Sequence, residues 1–68
     1  MENVFERIRK RYNELTKGQK VVAKFILDEP KHVALHPAKT IGKLTGTSET
    51  TVIRLCYALG YKGYSMVQ

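Results

Sequence analysis

Val4, Phe5, Ile8, Tyr12 and Leu15 recur at intervals of three and four, while Glu6, Arg7, Arg9, Lys10, Arg11 and Glu14 fill the positions between them. That spacing predicts an amphipathic helix over residues 2–14, apolar on one face and charged on the other. Thr16 then stands three residues before Gln19. This is a capping-box pair, and it starts a second helix over 17–28 with Val21, Val22, Phe25 and Ile26 inward. Pro30 disfavours helix at the residue before it and closes that segment.

Proline also suits the first turn of a helix, where its missing N–H has no partner to lose. Pro30 therefore opens a short third helix over 31–35, and Pro37 repeats the device for a fourth over 38–45, with Ala38, Ile41 and Leu44 inward. Gly46 supplies a tight turn. Ser48 caps a fifth helix that buries Val52, Leu55 and Leu59, with Cys56 at the edge of the stripe, and Gly60 ends it in the left-handed conformation. Tyr61 to Tyr64 reads as a turn, and Ser65 to Gln68 as the opening of another helix. No stretch alternates long enough for a strand. The expected fold is all-α, a bundle of five to six helices with a homeodomain-like helix-turn-helix over residues 38–59.

The fifth helix raises a chemical question. Ser48, Glu49, Thr50 and Thr51 begin it, and Ile53, Arg54 and Tyr57 follow on the face away from the apolar stripe. An ordinary surface helix carries several Lys and Glu there. Short hydroxyl side chains can approach base edges, the threonine methyl can pack on thymine, and arginine can read guanine or grip phosphate. The start of a recognition helix enters the major groove of double-stranded DNA, so its first residues must be small. Ser48, Glu49, Thr50, Thr51, Ile53, Arg54 and Tyr57 are accordingly the candidate DNA-reading set. Lys39, Lys43 and Lys62 are the candidate phosphate contacts. For Glu49 the favoured role is complementing the helix dipole. The run Arg7 to Arg11 reads as a solvated basic face.

The chain has 68 residues, enough for one domain with a small core. Twelve Lys and Arg against six Asp and Glu give +6, which favours a polyanionic partner. Cys56 is the only cysteine, so no disulfide can form within the chain, and a reduced thiol fits the cytoplasm. No signal peptide or membrane-length apolar run is present. His32 and His36 stand four apart without a third ligand nearby, so no metal is expected. No cofactor is implied, and without a nucleophile–base pair, metal set or phosphate loop the chain is not expected to be an enzyme.

The run Ile41-Gly42-Lys43-Leu44-Thr45-Gly46-Thr47-Ser48 through Leu55 resembles the helix-turn-helix of bacterial repressors. Gly42 stands where alanine is usual and Thr47 where valine is usual. Ser48-Glu49-Thr50-Thr51-Val52-Ile53-Arg54-Leu55-Cys56, followed by Leu59-Gly60-Tyr61-Lys62-Gly63-Tyr64, resembles the signature of the RpiR family, with Leu55 in place of the family's phenylalanine. The resemblance implies a DNA-binding domain of a bacterial transcription factor that controls sugar or phosphosugar metabolism. It also implies a sugar-isomerase-like effector domain, which senses a phosphosugar and is absent from these residues, so the chain reads as a fragment. A homodimer is expected, with Val4, Phe5, Ile8 and Tyr12 of the first helix as its contact. The alternative reading is a helical protein–protein interaction module, for which an exposed Ile53 is the main argument.

Overall fold

The computed structural model describes residues 2–68, and every regular element among them is helical. Helix α1 spans Val4–Arg11, α2 Lys17–Asp28, α3 Pro30–Leu35, α4 Ala38–Leu44 and α5 Glu49–Ala58, with single 3-10 turns at Tyr12–Glu14 and Tyr64–Met66. Two helices open with reciprocal capping boxes. Asn3 accepts from the Glu6 amide while Glu6 accepts from the Asn3 amide, and Thr16 and Gln19 do the same for α2.

The first helix is shorter than its apolar spacing suggests. It tightens at Tyr12, and the Leu15 amide donates back to the Tyr12 carbonyl. Leu15 is then extended and buried, which delivers the chain to the Thr16 cap. Pro30 is the first residue of α3 as expected, whereas Pro37 lies one position outside α4, as its cap.

One core joins all five helices. Ile8, Val22, Ile41, Val52, Leu55 and Leu59 are completely shielded, with Ala23, Ile26, Val33 and Ala38 around them. Burying each large aliphatic side chain is worth about 1.5–3 kcal/mol, so these few residues are a main source of stability. Three expectations are corrected here. Ile8 is fully buried within its own chain, so it belongs to the core and cannot form a dimer surface. On α2 the inward stripe is Val22, Ala23 and Ile26, while Val21 is exposed. On α4 the inward residues are Ala38, Ile41 and Gly42, and Leu44 turns outward. Val21 and Leu44 instead line a shallow groove with Lys24, Phe25, Asp28 and Thr45, and Phe25 also packs partly against the core.

The last turn is tied down by polar contacts. The Tyr64 hydroxyl lies 2.9 Å from the Val33 carbonyl and 2.7 Å from that of His36, and the Gln68 side-chain amide donates to both. These groups satisfy carbonyls that the end of α3 leaves without intrahelical partners. Tyr64 therefore serves the end of α3. Burial pushes its hydroxyl above the ordinary tyrosine pKa.

Candidate nucleic-acid interface

The turn between α4 and α5 is built from backbone hydrogen bonds that only a left-handed residue permits. Gly46 has φ +70°, its amide donates to the Lys43 carbonyl, and the Thr47 amide donates to the Gly42 carbonyl at 2.8 Å. This is the Schellman pattern, which satisfies two of the last carbonyls of α4. The Thr45 hydroxyl donates to the Ile41 carbonyl at 2.8 Å and also meets the Thr47 hydroxyl at 2.8 Å. That contact explains how a threonine fits where valine is common: its half-buried hydroxyl has a partner.

The crossing of α4 on α5 depends on the absence of a side chain. A Cβ on Gly42 would stand 2.6 Å from the carbonyl carbon of Ser48 and 2.8 Å from the Glu49 nitrogen. Glycine is therefore required for this approach, and the alanine common in related motifs would not fit this geometry. Ser48 caps α5 by accepting from the Thr51 amide at 3.1 Å, and the Ser48 and Thr51 hydroxyls lie 3.1 Å apart. Thr51 also faces α2, since a Cβ on Gly18 would lie 3.3 Å from its methyl group.

The structure separates the candidate DNA-reading residues into two groups. Glu49, Thr50, Arg54 and Tyr57 are exposed on α5 with Ser48 at its cap, and Lys39 and Lys43 on α4 and Lys62 after α5 are exposed too. Thr51 is half-buried between Ser48 and α2, and Ile53 is half-buried against the core. Thr51 and Ile53 thus hold the helix in place as well as bordering its open face. Cys56 is buried, and loss of water pushes its thiol up to about 11, which leaves it protonated and unreactive near neutral pH. The His32 and His36 rings stack with centroids 5.6 Å apart, and the Phe25 ring lies 6.1 Å from His32.

The basic run of α1 departs from its sequence reading. Arg9 and Lys10 are exposed, but Arg7 and Arg11 bend toward the end of α5. Arg7 donates to the Leu59 carbonyl at 3.0 Å and its guanidinium lies 4.5 Å from the centre of the Tyr61 ring. Arg11 donates to the Ala58 carbonyl at 3.1 Å. Helical spacing shows that residues 7 and 11 share a face. It does not reveal that their long side chains reach another helix.

With this geometry in view, the comparisons with known proteins give one answer. The family described as "Helix-turn-helix domain, rpiR family" matches residues 2–68, and the chain belongs to that family. It is 34% identical over 64 residues to the HTH-type transcriptional regulator HexR of Pseudomonas aeruginosa, which covers 94% of this chain and 22% of HexR. It is 39% identical over 62 residues to the bifunctional protein glk of Burkholderia mallei, covering 91% of this chain and 10% of that protein. The structure of the Vibrio vulnificus NanR protein complexed with ManNAc-6P superposes with a TM-score of 0.86 at 40% identity, over 93% of this chain and 24% of NanR. The chain is thus an all-helical domain of the rpiR helix-turn-helix type, spanning a minor part of each of these proteins. No helix among the described residues is long and apolar enough to cross a membrane.

Proposed function

We propose that this domain binds double-stranded DNA sequence-specifically, with α5 in the major groove, as part of a bacterial transcriptional regulator acting in the cytoplasm. The observation that carries this reading is the open face of α5: Glu49, Thr50, Arg54 and Tyr57 are exposed on a helix whose opposite side is fully buried. Arg54 reads a base, and Thr50, with Ser48 at the cap, meets base edges or phosphate. Lys39, Lys43 and Lys62 grip the phosphate backbone, and the net charge of +6 draws the domain to it. Ile53 is packed against the core, which removes the main argument for a protein-binding role of this face.

Further features of the regulator rest on its relatives. The name of HexR and the ManNAc-6P in the NanR complex favour control of sugar or phosphosugar metabolism by a phosphosugar. The effector is bound by a sugar-isomerase-like domain outside residues 1–68, and the DNA-binding domain itself is not an enzyme. Two half-sites require two recognition helices, so the regulator acts as a homodimer. Val4, Phe5 and Tyr12 remain half-buried and able to contribute to that contact, while Ile8 is not available to it.

The test is binding to a duplex selected by the domain from a randomised pool, titrated across salt. Tight binding of the selected duplex over a scrambled one, with affinity falling steeply as salt rises, supports the reading. Equal, weak affinity for both duplexes, alongside capture of a protein partner through α5, overturns it.

A further inference from the structure

The carbonyl groups at the end of α5 are fully accounted for, and two of them are satisfied from outside the helix. The Leu59 amide donates to the Leu55 carbonyl, the Tyr61 amide to Cys56, and the Gly60 amide to Tyr57. These bonds form a second Schellman turn, with Gly60 at φ +90°. The carbonyls of Ala58 and Leu59 remain, and they accept from Arg11 and Arg7 of α1. The fit is close. A Cβ on Gly60 would lie 3.2 Å from Arg7 Nη1 and 3.4 Å from Arg11 Nη1.

Arg7 is held from several sides. Its guanidinium stacks over Tyr61, and its Nε faces the Glu2 carboxylate at 3.4 Å, an ionic contact without hydrogen-bond geometry. Glu2 also pairs with Lys10. The hydrogen bond from Lys10, then the Lys10 and Arg7 charges, hold the Glu2 carboxyl below its ordinary range. Two positive charges thus sit at the negative end of the α5 dipole, where they stabilise the helix. They lie at the opposite end of α5 from Ser48 and Thr50.

We infer that Arg7 and Arg11 are positioning residues for DNA recognition: they fix the tilt of α5 from its C-terminal end and make no contact with DNA themselves. This rests on the reading of α5 as the recognition helix. The lever is simple. From Leu55 in the core to Glu49 at the start of the helix is about 9 Å, so a tilt of about 6° moves the reading residues by about 1 Å. A shift of that size carries a base-edge hydrogen bond out of its useful distance range. Helices α2 and α4 approach the start of α5 closely at Gly18 and Gly42, whereas the carbonyls of Ala58 and Leu59 are anchored by guanidinium groups whose planar fork and stacking lysine does not reproduce.

The experiment compares the parent domain with Arg7→Met, Arg7→Lys and Arg11→Met. Affinities are measured well below each variant's melting temperature, so that every protein is folded. The probes are a duplex selected from a random pool by the parent and a scrambled duplex of the same composition. Either methionine variant should bind the selected duplex about tenfold more weakly. Affinity for the scrambled duplex and its salt slope should stay at the parent values, because no phosphate contact is lost. Arg7→Lys should recover only part of the loss. Arg11 is the milder site should Arg7→Met fail to fold. A parent-like affinity for the selected duplex, with only the melting temperature lowered, would reduce the pair to a structural role and overturn the inference. A reduced salt slope would make the arginines phosphate contacts and also overturn it. If the parent itself does not distinguish the two duplexes, the reading of α5 fails first and the inference falls with it.

Discussion

The backbone of Ser48 occupies the space that a side chain on Gly42 would need. A Cβ there would be 2.6 Å from the Ser48 carbonyl carbon, a clash with backbone that no rotamer change can relieve. Alanine at this position improves helix propensity by about 1 kcal/mol. It must nevertheless push α4 and α5 apart, and overpacking of this kind costs about 1–3 kcal/mol. Gly42→Ala should therefore lower stability on balance, measured as a reduced urea midpoint. A midpoint equal to or above that of the parent would show that the crossing relaxes freely.

Gly46 and Gly60 both adopt positive φ, at +70° and +90°, but their surroundings differ. Nothing lies within 4 Å of a Cβ on Gly46, while a Cβ on Gly60 would meet both arginine side chains. Left-handed backbone costs an L-residue about 1–2 kcal/mol. Gly46→Ala should show that penalty alone. Gly60→Ala should be more destabilising, because it also crowds the Arg7 guanidinium, which must give way at the end of α5. Thermal unfolding of the two variants under identical conditions tests the order, and equal losses would mean that the guanidinium groups move aside without consequence.

The two turns explain how much of the architecture can be read from the sequence. Glycines, prolines and caps act locally, so Thr16, Pro30, Gly46, Ser48 and Gly60 mark the element boundaries well. Which face of a helix turns inward depends on its neighbours. Val21, Val22, Phe25 and Ile26 all fit one apolar stripe by spacing, yet Val21 is 43% exposed and Ala23 is buried in its place. Leu44 is 52% exposed for the same reason, having Gly42 as its inward neighbour on α4. The exposed face of α5 was legible because residue type and position agree along a single helix. The reach of Arg7 and Arg11 to Leu59 and Ala58 was not, since it joins residues about fifty positions apart through flexible side chains. Nor could periodicity show that Ile53 packs on the core.

Alkaline pH should weaken the fold through Cys56. Its thiol is pushed from an ordinary value of 9.0 up to about 11 by burial, so the unfolded chain releases this proton first as pH rises. Stability is therefore unaffected below about pH 9 and declines between 9 and 11, by up to about 1.4 kcal/mol for each pH unit. The Tyr64 hydroxyl, also raised by burial, acts in the same direction at the upper end of that range. Melting temperatures of the parent and Cys56→Ala should diverge in pH dependence, with the variant flatter between pH 9 and 11. Parallel curves would show that ionisation of the thiol is not coupled to unfolding.

Removing the Tyr64 hydroxyl tests the attachment of the last turn. Tyr64→Phe keeps the ring but leaves the Val33 and His36 carbonyls to the Gln68 amide alone. Loss of a hydrogen bond of this type costs about 1 kcal/mol. Tyr64→Phe should therefore unfold at a lower temperature than the parent. The turn should also exchange its amide hydrogens faster, with the Val67 and Gln68 amides, which donate to the Tyr64 carbonyl, reporting it directly. Unchanged protection at those amides would assign the stability of the turn to ring packing.

Arg54 and Lys43 should fail in different ways when truncated, and the contrast tests the assignment of the α5 face. Both side chains are exposed, so neither alanine variant should change the fold. Arg54 projects from the helix whose other side carries Val52 and Leu55 into the core, and it is expected to read a base. Arg54→Ala should weaken binding to a selected duplex by about 1–3 kcal/mol and relax the sequence requirement at one position. Lys43 lies in the last turn of α4 and is expected to meet phosphate. Lys43→Ala should weaken binding to selected and scrambled duplexes alike and reduce the salt slope by about 1. Selections from a random pool, repeated with each variant, separate the two outcomes. If Arg54→Ala loses affinity evenly across sequences, Arg54 is another phosphate contact and base reading passes to Thr50 and its neighbours. If neither variant alters binding, α5 does not lie in the groove.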